Sequence, residues 1–335
     1  MRKLRFIYLS LVLLGICLIS NGQQLPLYSQ YLYNKFLINP AHAGSDGFAS
    51  INLTTREQWV QYSGSPETYS LSGQVRILKR GYKLQKNIFN DIRYRPKTDG
   101  RVGLGGLIFS DRNGLVQKTG FQFTYSYHTW VRDYTQLSFG LSVTGYHLII
   151  TADGESFENP AEPWLNDNLR KGVFVPNADF GVYLLNPYYD IGLSVQQLFG
   201  SATKIGEEAY RNLQIFRHYY LFGTYEIPAF VRTEFEPSLL LKISDFGRPQ
   251  ADIGLTYVYD RKYWAGIDFR TGAALVGHLR FKFVPSNVNQ ISVFVGYAYD
   301  YNLNRIHLAV FGTHEMTVAV KFGSTLKRFR WIDRY

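Results

Sequence analysis

The sequence predicts an all-β protein: a transmembrane outer-membrane β-barrel of about 14 antiparallel strands. Three observations carry that expectation. Segments of about ten residues alternate apolar with small or polar side chains, and period two is the side-chain period of a strand. Aromatic residues make up 16% of the sequence, with 26 Tyr, 24 Phe and 30 Gly, while charged residues reach only 19%. Beyond the N-terminus no run of about 18 apolar residues exists to form a spanning helix, and mean hydropathy is slightly negative. A soluble β-sandwich would turn its oily face inward, and this many segments with Tyr and Phe at their ends overfill one.

Residues 1–22, MRKLRFIYLSLVLLGICLISNG, read as a signal peptide: Arg2, Lys3 and Arg5 precede an apolar core, and Ser20 and Gly22 suit a cut before Gln23. Cys17 is the single cysteine and falls in that removed core, so the mature protein has no disulfide or thiol chemistry. The formal charge of +10 becomes about +7 once those three cations are gone. No stretch pairs dense Lys and Arg with stacking aromatics on a recognisable module, so nucleic acid is not an expected partner. Residues 23–46 follow as an N-terminal periplasmic arm, packed on or inside the larger body. Within it, Asn39-Pro40 is a turn-starting pair. The barrel is expected over 47–323 and a basic C-terminal tail over 324–335.

The expected strands are Phe48–Trp59, Thr68–Leu78, Val102–Asp111, Gln117–Val131, Gln136–Ile150, Asn177–Leu185, Tyr189–Phe199, His218–Ile227, Glu236–Ser244, Ala251–Asp260, Tyr263–Thr271, Leu275–Val284, Gln290–Tyr301 and Glu315–Phe322. The pattern is plainest where Leu137, Phe139, Leu141 and Val143 alternate with Ser138, Gly140, Ser142 and Thr144. Tyr134 and Tyr146, toward the ends of that stretch, suit the oil–water boundary. Late strands alternate apolar residues with Asp252, Asp268, Arg270, His278, Arg280, Lys282, Glu315 and Lys321. A charge on the lipid face near mid-bilayer costs roughly 2–4 kcal/mol, so these charges are expected to face the lumen. With the N-terminus in the periplasm, parity puts Thr151–Pro176 and Gly200–Arg217 outside as the longest outer joins. Inner joins should be short, and Lys79–Arg101 alone breaks that rule.

No motif points to catalysis, a cofactor or a metal. Val102-Gly103-Leu104-Gly105-Gly106 has the look of a nucleotide loop but lacks the last glycine of GxGxxG and any following helical pattern. Glycines on an inward strand face, relieving crowding, explain it better. The seven histidines form no HxH or HxxxH pair. Ser244, Ser292 and the other serines have no spacing that singles out a nucleophile, so no enzyme is expected.

Several blocks resemble the PorP/SprF family. Pro26-Leu27-Tyr28-Ser29-Gln30-Tyr31, then Asn34 and Asn39-Pro40-Ala41-His42-Ala43-Gly44, are similar to its opening. Arg56, Trp59, Gly64-Ser65-Pro66, Thr68-Tyr69, Leu137 to Leu141, Glu236-Pro237-Ser238, Trp264-Ala265-Gly266, Gly296 to Asp300 and Gly312 to Glu315 continue it. The resemblance implies an outer-membrane barrel, embedded in outer-membrane lipids, of the type IX secretion and gliding machinery. It also implies two kinds of partner: the C-terminal domain of a secreted adhesin, and the periplasmic ring lipoproteins. It transfers no catalytic residue.

Two loops are the expected partner sites. In Lys79–Arg101, Ile88, Phe89 and Ile92 fall on one face of a short helical pattern among cations including Arg93, a dock for the periplasmic components. In the outer joins, Trp164, Leu165, Phe174 and Tyr210 are large anchors for the client. The rival expectation is a porin-like diffusion channel for small solutes, with Arg270, Arg280 and Lys282 favouring anions. The barrel itself is testable: purified protein is expected to give a β-rich circular dichroism spectrum and a heat-modifiable gel band. A predominantly helical spectrum contradicts it.

Overall fold

Alternation of oily and polar side chains gives a sheet with one face for lipid, and only closure removes its unpaired edges from the bilayer. A computed structural model of the protein describes residues 28–77, 101–132, 135–150, 172–200, 215–245, 249–272, 274–285, 291–303 and 309–323. Within them lie β1 (Ala49–Glu57), β2 (Glu67–Ile77), β3 (Val102–Asn113), β4 (Val116–Arg132), β5 (Thr135–Ile150), β6 (Val173–Leu185), β7 (Tyr189–Gln196), β8 (His218–Tyr225), β9 (Ile227–Phe230), β10 (Thr233–Ser244), β11 (Gln250–Tyr259), β12 (Tyr263–Arg270), β13 (Ala274–Phe283), β14 (Ile291–Asn302) and β15 (Thr313–Phe322).

Neighbours in sequence pair antiparallel, and β15 returns to β1 in register from Ala49 opposite Phe322 to Glu57 opposite His314. Fourteen strands thus close a barrel, all fourteen of them overlapping the expected segments. The fifteenth, β9, continues the line of β8 past Glu226 and pairs only with the start of β10, where Ile227 faces Phe235.

The barrel is inside-out relative to a soluble protein. Phe123 and Ile267 are 68% and 62% exposed on the outer wall, while Ser126, Ser138 and Ser142 are 0% exposed within. Asp252, Asp268, Arg270, His278, Arg280, Glu315 and Lys321 all lie buried on the inner face, as the cost of a charge in lipid requires. The start of β1 and the end of β15 lie at one end of the barrel, where most joins are short, such as 186–188 and 260–262. The longer joins, 151–172 and 197–217, lie at the opposite end, which is the outer face in barrels of this kind. The β3–β4 join there is a two-residue turn, with Gly114 at φ +58 in its first central place.

Two placements differ from the sequence reading. Tyr146 is not a boundary residue; strand parity turns it inward, where it is 4% exposed. Phe174 is not in a loop. β6 begins at Val173 and runs through Pro176, which sits opposite Gly145. Pro176 made the start of this strand read as a loop, because proline rarely sits inside a sheet. The arm takes one of the two placements the sequence left open: its described residues, 28–46, lie inside the barrel, hydrogen-bonded to the inner wall.

Candidate functional site: the plugged lumen

The arm forms a plug built from turns. Two short 3-10 helices, Lys35–Leu37 and Pro40–His42, fold it back on itself. Pro40 opens the second with its φ already set for a helix, and Asn39 Oδ1 accepts from Ala41 N at 2.9 Å. The Asn39 amide then donates outward to Val182 O and Leu193 O on β6 and β7.

The wall makes room where it must. A Cβ at Gly140 would overlap Ala41 N, one at Gly103 would overlap Ala43 O, and one at Gly105 would lie 2.6 Å from the Phe36 ring. The glycine-rich start of β3 is therefore a seat for the plug, in keeping with the inward-glycine reading and not with a nucleotide loop. Tyr31, Ile38 and Ala41 pack against Tyr183, Tyr220, Phe222 and Leu240 as one apolar cluster inside the barrel.

Charge fixes the plug at its first residues. Arg56 donates to Asp300 at 2.8 Å, to Glu315 at 2.9 Å and to Ser29 Oγ at 2.8 Å. Arg270 donates to Asp252 at 2.9 Å and to Asp300 at 3.0 Å. Two guanidiniums thus face three carboxylates. The surplus negative charge is met by the plug itself: Ser29 N and Gln30 N donate to the two Glu315 oxygens at 2.7 and 2.8 Å, and Ser29 Oγ donates to Asp300 at 2.7 Å. Hydrogen bonds to charged groups contribute about 1.5–3 kcal/mol each, so the start of the plug is firmly held.

Further along, Lys35 pairs with Asp190 on β7 at 2.7 Å, and Asp190 also accepts from Thr224 Oγ1. Tyr33 meets His278 Nδ1 at 2.7 Å, with the Arg280 guanidinium stacked 4.5 Å from its ring and 4.2 Å from that of Phe294. At the far end, Asp46 pairs with Lys321 at 3.3 Å, and Ser45 O accepts from the Gln136 amide at 3.1 Å. Contacts run from β1 round to β15, so the plug spans the lumen. Arg270 and Arg280, expected in the rival reading to attract anions, are engaged in holding it.

Above the plug, toward the outer face, the lumen holds a small cavity of about 90 Å³. Tyr28, Leu37 and Ile38 of the plug form its floor, and Leu107, Tyr146 and Leu240 are among its apolar walls. Among the described residues no group of three His, Cys, Asp or Glu side chains has the geometry to hold a metal.

Of the residues expected to bind partners, Ile88, Phe89, Ile92, Arg93, Trp164, Leu165 and Tyr210 lie outside the described residues. Phe174 is on the outer wall, 51% exposed, with its ring against Gly145 of β5. The structure brings together a different set: Ser29, Gln30, Arg56, Asp300 and Glu315. All five belong to the blocks that carried the family resemblance, and strand alternation had separately placed Glu315 on the inner face.

The sequence profile of the family described as "Type IX secretion system membrane protein PorP/SprF" matches residues 20–320. The chain belongs to this family. No curated protein matches it. Among solved structures, it is similar to the CymD monoaromatic hydrocarbon channel at 10% identity and TM-score 0.47, over 91% of this protein and 95% of that one. It is similar to the Ralstonia pickettii toluene transporter TbuX at 12% identity and TM-score 0.47, over 86% and 92%. A Pseudomonas aeruginosa FadL homologue matches at 10% identity and TM-score 0.46, over 90% and 95%. At those scores the three add nothing to the barrel already described, and this PorP/SprF member is an outer-membrane protein.

The clamp predicts its own dependence on Arg56. An Arg56→Met change leaves Asp300 and Glu315 short of a cation in a dry site, a loss of about 3–5 kcal/mol. Denaturant unfolding of the purified barrel is expected to show a lowered midpoint, and limited proteolysis faster cleavage near residues 28–46. An unchanged midpoint contradicts the clamp.

Proposed function

We propose that this PorP/SprF barrel is a non-enzymatic partner in type IX export or surface attachment of adhesins, acting through its rims and not as a conduit. The observation that carries the reading is the plug. A solute channel needs a continuous aqueous path, and residues 28–46 span the lumen with their backbone hydrogen-bonded to its wall. A barrel closed in this way works by holding other proteins at its two faces.

On the inner face the docking segment is Lys79–Arg101. Its cations steer the encounter with the periplasmic ring lipoproteins, and Ile88, Phe89 and Ile92 hold it, with Arg93 beside them. Charges alone would be screened by salt, so the apolar residues carry the contact. On the outer face Trp164, Leu165 and Tyr210, together with Phe174 on the wall below, anchor the adhesin's C-terminal domain.

Replacing Ile88 and Phe89 together by Ser is expected to abolish co-purification with the ring lipoproteins while leaving the amount of heat-modifiable barrel unchanged. Survival of co-purification defeats the inner dock. The porin-like alternative is decided by planar bilayers. The intact protein is expected to give no steady large conductance, and deletion of residues 29–46 to raise it. A large conductance from the intact protein favours the channel instead.

A further inference from the structure

Gly103, Gly105 and Gly140 lack side chains where the plug lies against them. Gly277, within β13, lacks one with no such neighbour: a Cβ there would meet nothing within 4 Å. Its φ is negative, so the backbone does not call for glycine. Register sets it between Ile267 of β12 and Tyr299 of β14, and Ile267 is among the most exposed side chains of the outer wall. A glycine inside a strand weakens it and often marks a place where something approaches closely. Here that something comes from outside the barrel.

Around Gly277 the outer wall is hollowed. It lines a groove of about 540 Å³ together with Ala265 of β12, between the larger side chains of Tyr257, Ile267, Leu279 and Tyr299. His278, next along β13, turns its ring inward to Tyr33 and Asp268, so that side chain takes no space in the groove. The volume falls within the roughly 300–1,000 Å³ of clefts that hold small ligands. Strands of a barrel tilt, so a row of residues across them climbs the wall diagonally. One such row, Phe235, Tyr257, Ala265, Leu279 and Tyr297, follows the groove. It starts two residues from the inner ends of β10 and β11, and it rises toward His314 near the outer end of β15, whose Nδ1 meets Tyr297 Oη at 2.7 Å.

The groove is continuous with the lipid-facing wall, so the chemistry that fills it is an acyl chain. Charge decides the leaflet. The turns at the inner end of the groove carry Arg232, Arg261 and Lys262. Lys262 pairs with Asp260 at 2.7 Å, and Arg261 reaches Glu234 at 2.7 Å and Glu226 at 3.7 Å. At the outer end, the row through Tyr299 and His314 continues to Glu57, Glu67 and then Arg112, so carboxylates come first there. A phosphate is favoured at the inner end and opposed at the outer one. We propose that the groove binds one phospholipid of the inner leaflet, an acyl chain lying over Ala265 and Gly277 and the phosphate accepting from Arg232 and Lys262. The site goes beyond the export reading, which rests on the rims and the plug and needs no bound lipid.

The test uses the purified barrel, stripped of lipid in detergent, with no export component present. Gly277→Phe fills the groove without a clash, since space is open around the missing Cβ. Ala265→Leu fills it from the neighbouring strand, and Val143→Phe, on the exposed wall of β5, is the control. Each variant is first checked for a heat-modifiable band. Probes are palmitoyl-oleoyl phosphatidylethanolamine, the diacylglycerol with the same chains, and lipid A, and native mass spectrometry counts the molecules bound. Saturable one-to-one binding of the phospholipid is expected, at least tenfold weaker for the other two probes. Both filling variants are expected to weaken phospholipid binding at least tenfold, and Val143→Phe to leave it unchanged. No saturable phospholipid binding, or binding that both filling variants leave intact, overturns the proposal. Equal binding of the diacylglycerol overturns the phosphate contact, and preference for lipid A overturns the assignment to the inner leaflet. A dimer that both filling variants break apart overturns the proposal as well, since a second copy of this chain would then cover the groove.

Discussion

The arrangement of the lumen depends on how Arg56 and Arg270 meet Asp252, Asp300 and Glu315. Burying five charges forfeits their solvation, and such a network often contributes no more stability than an apolar replacement of the same volume. What an apolar patch lacks is direction. A planar guanidinium sets the angle and position of the carboxylates it binds. Here those carboxylates in turn accept the first N–H groups of the plug. The plug is therefore placed as well as covered. The turns at Lys35–Leu37 and Pro40–His42 follow from that starting point, and so do the glycine seats on β3 and β5.

The barrel wall was legible in the sequence because its two environments differ so sharply. Lipid on one side and a polar interior on the other impose strict alternation, and it is visible in Leu137 to Thr144 without any structural information. Beyond shifts of a few residues, such as the early start of β10 at Thr233, the reading failed where a local signal contradicted the wall. Pro176 hid the start of β6 and so left Phe174 in a loop, and Tyr146 looked like a girdle residue because nothing in its spacing tells a lumen ring from an interface ring. The plug was much less legible. Its turns carry no periodicity, and its contacts link residues as distant as Ser29 and Glu315. The resemblance of whole blocks marked both positions and alternation turned Glu315 inward, but neither gave a hint that they meet.

The plug also explains an inner face rich in small residues. In an open channel, Gly103, Gly105 and Gly140 would leave the lumen wider than the solute needs. Against a folded segment they let backbone approach backbone, which any Cβ would prevent. Hydroxyl and carboxamide side chains then take the place of water for the carbonyl groups of the plug, since a buried carbonyl left unpaired costs free energy comparable to a lost hydrogen bond.

The strands that carry the clamp lie on both sides of the barrel's seam. Arg56 belongs to β1, Glu315 to β15 and Asp300 to β14, and the ladder joining β1 to β15 is the last that synthesis makes available. Until β15 has emerged, the arm has no Glu315 to receive Ser29 and Gln30, and the sheet has no partner for its first edge. Closing the cylinder therefore also completes the clamp on the start of its stopper. A protein truncated before β15 would present a free edge and an unclamped start to its plug together, two features that distinguish an unfinished molecule from a finished one.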